Sequence, residues 1–278
     1  MRAVAVESHD DPRVADYRNV RDADLRVCDG LFMTEGRLNV KRLITVSPYR
    51  TRSVFVTEAG LRGIRPALER LDAQTPVYVA AAPLLHAVVG YAMHRGCLAA
   101  GERGRPPELV DFLASLAARG REHAITLLVL EDVTNSENVG AIFRNALALG
   151  ADAVVLTRRC VDPLYRRSIR VSMGAALRVP YARAADGPAA LVALARAGFT
   201  SIALATGAGA TPLARSGAAP ERLALWLGSE GGGLSAEVLA RIERRVAIPM
   251  GPGADSLNVA TASGIALHHY RAQREDAG

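Results

Sequence analysis

Asn138 and Arg144 lie in the run SENVGAIFRNALAL, a spacing that puts them less than two turns apart if the run is helical. A guanidinium is a permanent cation with five donors, and an asparagine amide both donates and accepts. The loop before them sits at the carboxyl end of a strand, where open α/β sheets bind ligands. Gly140 and Ala141, one turn before the arginine, leave room for a ligand beside it. A second cluster, LWLGSEGGGLS, carries one acid, Glu230, in a glycine loop. Gly231, Gly232 and Gly233 permit positive φ and close approach of backbone amides to a ligand. A third, IPMGPGADSLNVATASG, offers Ser256 as a natural N-cap, with Asn258 in the first turn of the helix that follows. The amides there favour oxygen-rich or anionic groups. Each cluster alone also has a plain reading: a solvated arginine with a turn asparagine, a flexible turn, a capped packing helix. The glycine loop is neither a Walker A motif, since no Lys-Ser/Thr follows, nor a G-x-G-x-x-G in a first βα turn.

Each cluster sits where a strand hands over to a helix. Ile125–Leu130 (ITLLVL) reads as a buried strand, and Val139, Ile142, Phe143, Ala146 and Leu147 recur as the core stripe of the helix after it. Thr134 with Glu137 offers a capping box at its start. Further apolar strands are predicted at Ala153–Leu156, Thr200–Ala205, Leu223–Leu227 and Val246–Ile248, mostly separated by helical patterns. That alternation implies an α/β fold with a largely parallel sheet, whose ligands bind at the carboxyl ends of the strands. Ala260, Ser263 and Gly264 form a small-residue face suited to close packing against another element or subunit. Upstream, residues 1–15 read as a loose arm and 16–100 as a small α/β domain. Within it, helices are predicted over Leu38–Leu43 and Leu61–Leu71 and strands over Ser53–Thr57 and Val77–Ala80. The charged, proline-rich run GERGRPP opens a linker and connecting helix (Glu108–Ala118) spanning 101–121, and 122–278 form the second domain.

The 278 residues are 50% apolar, enough for two modest cores, and low aromatic content points to helices on strands. A formal charge of +6 suits an anionic partner such as nucleic acid, or simply a basic solvated surface. Cys28, Cys97 and Cys160 lie too far apart for a disulfide framework. His94 and Cys97 have metal-ligand spacing but no second pair, so no metal site is predicted. No stretch has 18 uninterrupted apolar residues and the first residues are too charged for a secretory signal, so a soluble, cytoplasmic protein without membrane contact is expected.

In order and spacing the three clusters together resemble the SpoU (TrmH-type) branch of the SPOUT methyltransferases, over about Leu127 to Tyr270. Asn138, Gly140 and Arg144 match the family's first motif; Gly228, Glu230 and Gly233 the second; Ile248-Pro249-Met250 and Ser256-Leu257-Asn258-Val259 the third. Ser172, Gly174 and Ala175 also fit, while Ala260 stands where the family often has serine. The resemblance implies a C-terminal trefoil knot that general topology rules would refuse. It implies S-adenosylmethionine held by the loops around Thr206 and Gly207, Gly228 to Gly231 with Glu230, and Ile248, Met250, Ser256 and Leu257. It further implies RNA, ribosomal or transfer, as substrate, and a homodimer through the C-terminal domain. The first half is similar to the small RNA-binding domain resembling ribosomal protein L30e found in many members, with Asp29 to Gly36 (DGLFMTEG) at its opening.

The reaction so implied is methylation of a ribose 2′-OH, the group that distinguishes RNA from DNA. Arg144 would engage phosphate and 2′-OH as an electrostatic organiser, since a guanidinium pKa above about 12 makes it a poor base. Asn138 and Asn258 would hold the ribose or position Arg144, Glu230 would pair with Arg144, and Ser256 would cap the helix and contact RNA or cofactor. The competing readings are a non-catalytic RNA-binding protein on the same scaffold, a nucleotide-dependent oxidoreductase lacking its expected fingerprint, and a base-methylating relative. Because basic groups displace counterions from phosphates, RNA affinity is expected to fall steeply as salt rises. Filter binding across a salt series checks this, and a flat response contradicts a phosphate-tracking surface.

Overall fold

The structure is a computed structural model that describes residues 3–18, 30–93, 96–119, 124–207 and 209–275. Cys28, Asp29 and His94 lie outside the described residues, and with them the metal-like His94–Cys97 pair. Contacts divide the chain into two compact units, one of residues 1–105 with 163–178, the other of 106–162 with 179–278. The division read along the sequence assigned everything from 122 onward to one domain. The packing instead assigns 163–178 to the first unit.

The first unit is a five-stranded mixed sheet in the order β1-β4-β3-β5-β2. Its strands are β1 (Ala3–Ala5), β2 (Leu31–Glu35), β3 (Thr51–Val56), β4 (Val77–Val79) and β5 (Cys97–Glu102), and its first three helices are α1 (Arg37–Val46), α2 (Glu58–Leu68) and α3 (Ala82–Val89). β5 runs antiparallel to both β2 and β3. The stretch expected as a loose arm is part of this fold. Ala3–Ala5 pairs in parallel with Val77–Val79, and Val6, Val14 and Tyr17 enter the core beside Phe55 and Leu85. Burial of those apolar side chains outweighs the charged residues around them. The 163–178 segment packs here through its helix Arg166–Val171. Arg166 Nη1 donates to Tyr91 Oη (2.7 Å), which donates to Glu35 Oε2 (3.1 Å).

The second unit holds a seven-stranded, wholly parallel sheet in the order β10-β12-β9-β11-β6-β7-β8. It comprises β6 (Ile125–Leu130), β7 (Ala153–Thr157), β8 (Tyr181–Ala184), β9 (Thr200–Leu204), β10 (Thr211–Pro212), β11 (Arg222–Leu227) and β12 (Arg244–Ala247). The helices are α4 (Leu109–Arg119), α5 (Ser136–Leu149), α6 (the Arg166–Val171 helix of the first unit), α7 (Gly187–Arg196), α8 (Ala236–Arg241) and α9 (Val259–Glu275). One face of the sheet buries Leu127, Val129, Val155 and Trp226 against α4 and α7. On the other, α5 packs against α9. Asn145 Nδ2 donates to Ala260 O (2.7 Å) and Ser263 Oγ (3.0 Å), and a Cβ on Gly264 would meet that same amide nitrogen at 3.2 Å. The small-residue face of α9 thus serves packing within the unit.

Val139, Ile142, Phe143 and Ala146 of α5 are fully buried, and the Phe143 ring meets Tyr181 edge-on at 6.1 Å. Phe143→Ala is expected to cost about 3–5 kcal/mol. Urea unfolding followed by the fluorescence of Trp226, in this same unit, checks it; a loss under 1 kcal/mol contradicts the packing described.

Candidate functional site

Four neighbouring strands, β12, β9, β11 and β6, run parallel, so their carboxyl ends emerge along one edge of the sheet. The loops leaving the first three border one cavity of about 540 Å³, within the ~300–1,000 Å³ range of small-molecule sites. Its wall includes Thr206, Gly228, Glu230, Gly231, Ile248, Met250, Ser256, Leu257 and Asn258. Gly207 has φ +112° but is not in the wall, nor are Asn138 and Arg144. Leu204, Ser229, Asp255 and Ala262 are among the wall residues that the motifs did not indicate. Glu230 and Asp255 are its charged residues; no Lys, Arg or His lines it among the described residues.

The first loop begins with a sharp turn. Asp132 sits at φ +55°, sparsely populated for a residue with a Cβ. It is held there by Thr157 at the end of β7, whose Oγ1 accepts from the Asp132 amide (3.0 Å) and donates to Asp132 Oδ1 (2.9 Å). Asn135 caps α5, its Oδ1 accepting from the Glu137 amide at 2.8 Å, in place of the anticipated Thr134–Glu137 capping box. Asn138 then lies buried in the first turn.

The glycine loop is a closed hairpin. Ser229 and Gly233 exchange both backbone hydrogen bonds at 3.0 Å. A Cβ on Gly228 would meet Gly233 C at 2.0 Å and Leu234 N at 2.1 Å, so only glycine permits this closure. Of the three consecutive glycines, only Gly233 uses a positive φ (+65°).

Asn258, not Ser256, caps α9, its Oδ1 accepting from the amides of Ala260 (2.9 Å) and Thr261 (3.2 Å). The helix starts at Val259, too late for Ser256 to reach its amides. Capping fixes the Asn258 amide, so its Nδ2 must point outward, and it donates to Asn138 Oδ1 at 2.9 Å. That fixes Asn138 in turn, whose Nδ2 donates to Glu230 Oε1 at 2.7 Å. A carboxylate accepts only, so the chain Asn258 to Asn138 to Glu230 has one possible direction. It ties the three clusters together, through residues far apart in sequence.

The anticipated Arg144–Glu230 ion pair is absent; Glu230 takes Asn138 instead. Arg144 is exposed on α5, about 9 Å along the axis from Asn138, and has no hydrogen-bond or ion-pair partner among the described residues. Glu131, which the motifs did not point to, is buried at the end of β6 and accepts from the Ser235 amide and hydroxyl, both at 2.8 Å. Among the described residues no group of three or more His, Cys, Asp or Glu is arranged to hold a metal ion, and no helix is long and apolar enough to cross a membrane.

A model of the SpoU rRNA Methylase family matches residues 126–268. An uncharacterized tRNA/rRNA methyltransferase of Mycobacterium bovis is 42% identical over 265 residues, covering 93% of this chain and 88% of its own. An AdoMet-bound rRNA methyltransferase from Sinorhizobium meliloti shares the fold at TM-score 0.81 and 24% identity, over 97% of this chain and 98% of that one. The SpoU methyltransferase AviRb from Streptomyces viridochromogenes does so at TM-score 0.76 and 20% identity, over 95% and 97%.

Gly228→Ala is expected to force the hairpin open. Hydrogen exchange reads this as lost protection of the Ser229 and Gly233 amides, while β6 and β11 stay protected; retained protection at both loop amides contradicts the close approach.

Proposed function

Because this chain belongs to the SpoU rRNA methylase family, we propose that it methylates a ribose 2′-OH in structured ribosomal or transfer RNA. It is an RNA methyltransferase whose cofactor is S-adenosylmethionine. The observation that carries the site assignment is the hydrogen-bonded chain Asn258–Asn138–Glu230 joining the three motif loops beside one cavity.

The cavity fits this cofactor chemically. Two carboxylates without a cationic side chain suit a ligand that carries a sulfonium and an ammonium group against one carboxylate. Thr206, Gly228, Glu230, Gly231, Ile248, Met250, Ser256 and Leu257 would hold it, with the Gly228 to Gly231 part of the wall shaped by the hairpin closure that Gly228 permits. S-adenosylmethionine supplies an activated methyl group, which leaves the protein to orient the ribose oxygen and manage its proton.

Arg144 is suited to a phosphate because no acid among the described residues neutralises it. As a permanently charged group it organises phosphate and 2′-OH, and the proton passes to phosphate or water. Asn138 and Asn258 have committed their amides to each other and to Glu230, so their role is to fix the loop that presents the ribose, with Ser256 contacting RNA or cofactor at the rim. We extend the reading to the trefoil knot, on the ground that the loops of three adjacent parallel strands crowd one cavity. A homodimer through this unit is supported by Leu257 and Ile265, apolar yet 38% and 39% exposed beside the site and on α9. The first unit, with Arg62, Arg65 and Arg70 exposed, is assigned to RNA binding in the manner of L30e-like domains. RNA of these classes puts the work in the cytoplasm.

Arg144→Ala is expected to keep S-adenosylmethionine affinity within about threefold and to lose at least a hundredfold in methyl transfer. Calorimetry beside a tritium-transfer assay on RNA tests it, with ribose methylation read by resistance of the product to alkaline cleavage. Undiminished transfer by the variant ends the role given to Arg144, and product methylated on a base ends the ribose assignment.

A further inference from the structure

The glycine loop forms much of the cavity wall, yet three consecutive glycines are the most costly residues to order. Something must hold the loop in place. Closure between Ser229 and Gly233 shapes the hairpin but does not tie it to the sheet. Glu230 ties its tip to Asn138, but Glu230 faces the cavity and is available to whatever fills it. Leu234 is buried in the core, and a polar tether follows it at the loop's exit. Ser235 gives both its backbone amide and its hydroxyl to Glu131, each at 2.8 Å, while its Oγ also accepts from the Val238 amide at 3.3 Å to cap α8.

Glu131 is itself immobilised. Its amide donates to Leu227 O at 2.9 Å, extending the β6–β11 pairing by one residue up to the start of the loop. Its side chain is buried and lies outside the cavity wall. Room for the carboxylate comes from Gly187 at the start of α7, where a Cβ would lie 2.5 Å from Glu131 Oε1 and 2.4 Å from a methyl of Val238. A buried carboxylate is costly unless its oxygens are paired, and here both are. The fold has thus made space for a buried acid whose hydrogen bonds end on the residue that closes the cofactor-side loop.

We propose that Glu131 is a positioning residue for S-adenosylmethionine, holding the 229–235 loop in its binding conformation through Ser235. The idea rests on the cofactor reading given above. Releasing the tether leaves the loop in its binding form for only a fraction of the time, and apparent affinity falls by that fraction. The chemical step, once the cofactor is bound, is unaffected.

The test is calorimetric binding of S-adenosylmethionine to the full chain, beside steady-state methyl transfer to RNA. Glu131→Ala is expected to raise both Kd and KM for S-adenosylmethionine about tenfold, with kcat at saturating cofactor and KM for RNA within about twofold of wild type. Glu131→Gln retains an acceptor for the Ser235 amide and is expected to recover most of the affinity. An unchanged Kd in Glu131→Ala, or a fall in kcat at constant Kd, overturns the proposal. If Glu131→Ala does not fold, Ser235→Ala removes the hydroxyl and keeps the amide. A rise of about threefold in Kd is then expected, and wild-type affinity in that variant overturns the proposal equally. Wild-type protein that binds no S-adenosylmethionine overturns the cofactor reading instead.

Discussion

Parallel pairing of four adjacent strands, β12-β9-β11-β6, is the constraint from which the site follows. Parallel strands deliver all their carboxyl ends to one edge, so residues more than a hundred positions apart become neighbours without any loop having to reach. The pairing is continuous: β11 registers six residues with β6 on one side and four with β9 on the other. Trp226, buried in that central strand, donates to Ser201 of β9 at 3.0 Å and so helps fix the two strands whose loops flank the cavity.

On that edge the chemistry is divided between rigid and adaptable parts. Asn138 is buried and both ends of its amide are engaged, which makes it a joint between loops more than a reagent. Arg144, on the same helix, is exposed and has no partner among the described residues. Pairing it with Glu230 would have neutralised the positive group best suited to a phosphate. The structure spends Glu230 on an amide instead, which keeps the arginine's charge available.

Much of this was legible from residues alone. ITLLVL announces β6 by its unbroken apolar run, and the i, i+3, i+4, i+7 stripe of α5 is buried as its periodicity requires. Three kinds of feature were not legible. Tyr181–Ala184 alternates, but its inward residues are alanines, too small to stand out as a strand signal. Ala3–Ala5 is a three-residue edge strand fixed by its partner and not by its own pattern. Helix starts shifted because several capping residues compete within a few positions: Asn135 prevails over Thr134, and Asn258 over Ser256. Glu131 and Ser235 lie 104 residues apart, and no local spacing rule links them.

The excursion of residues 163–178 has a consequence for how such chains diversify. It leaves the second unit after β7, buries Ile169, Ala176 and Leu177, and returns at β8. A recombination event that replaced only the N-terminal 105 residues would strand this segment with foreign packing partners. Exchange of the first unit alone would therefore leave Ile169, Ala176 and Leu177 without the side chains they now pack among.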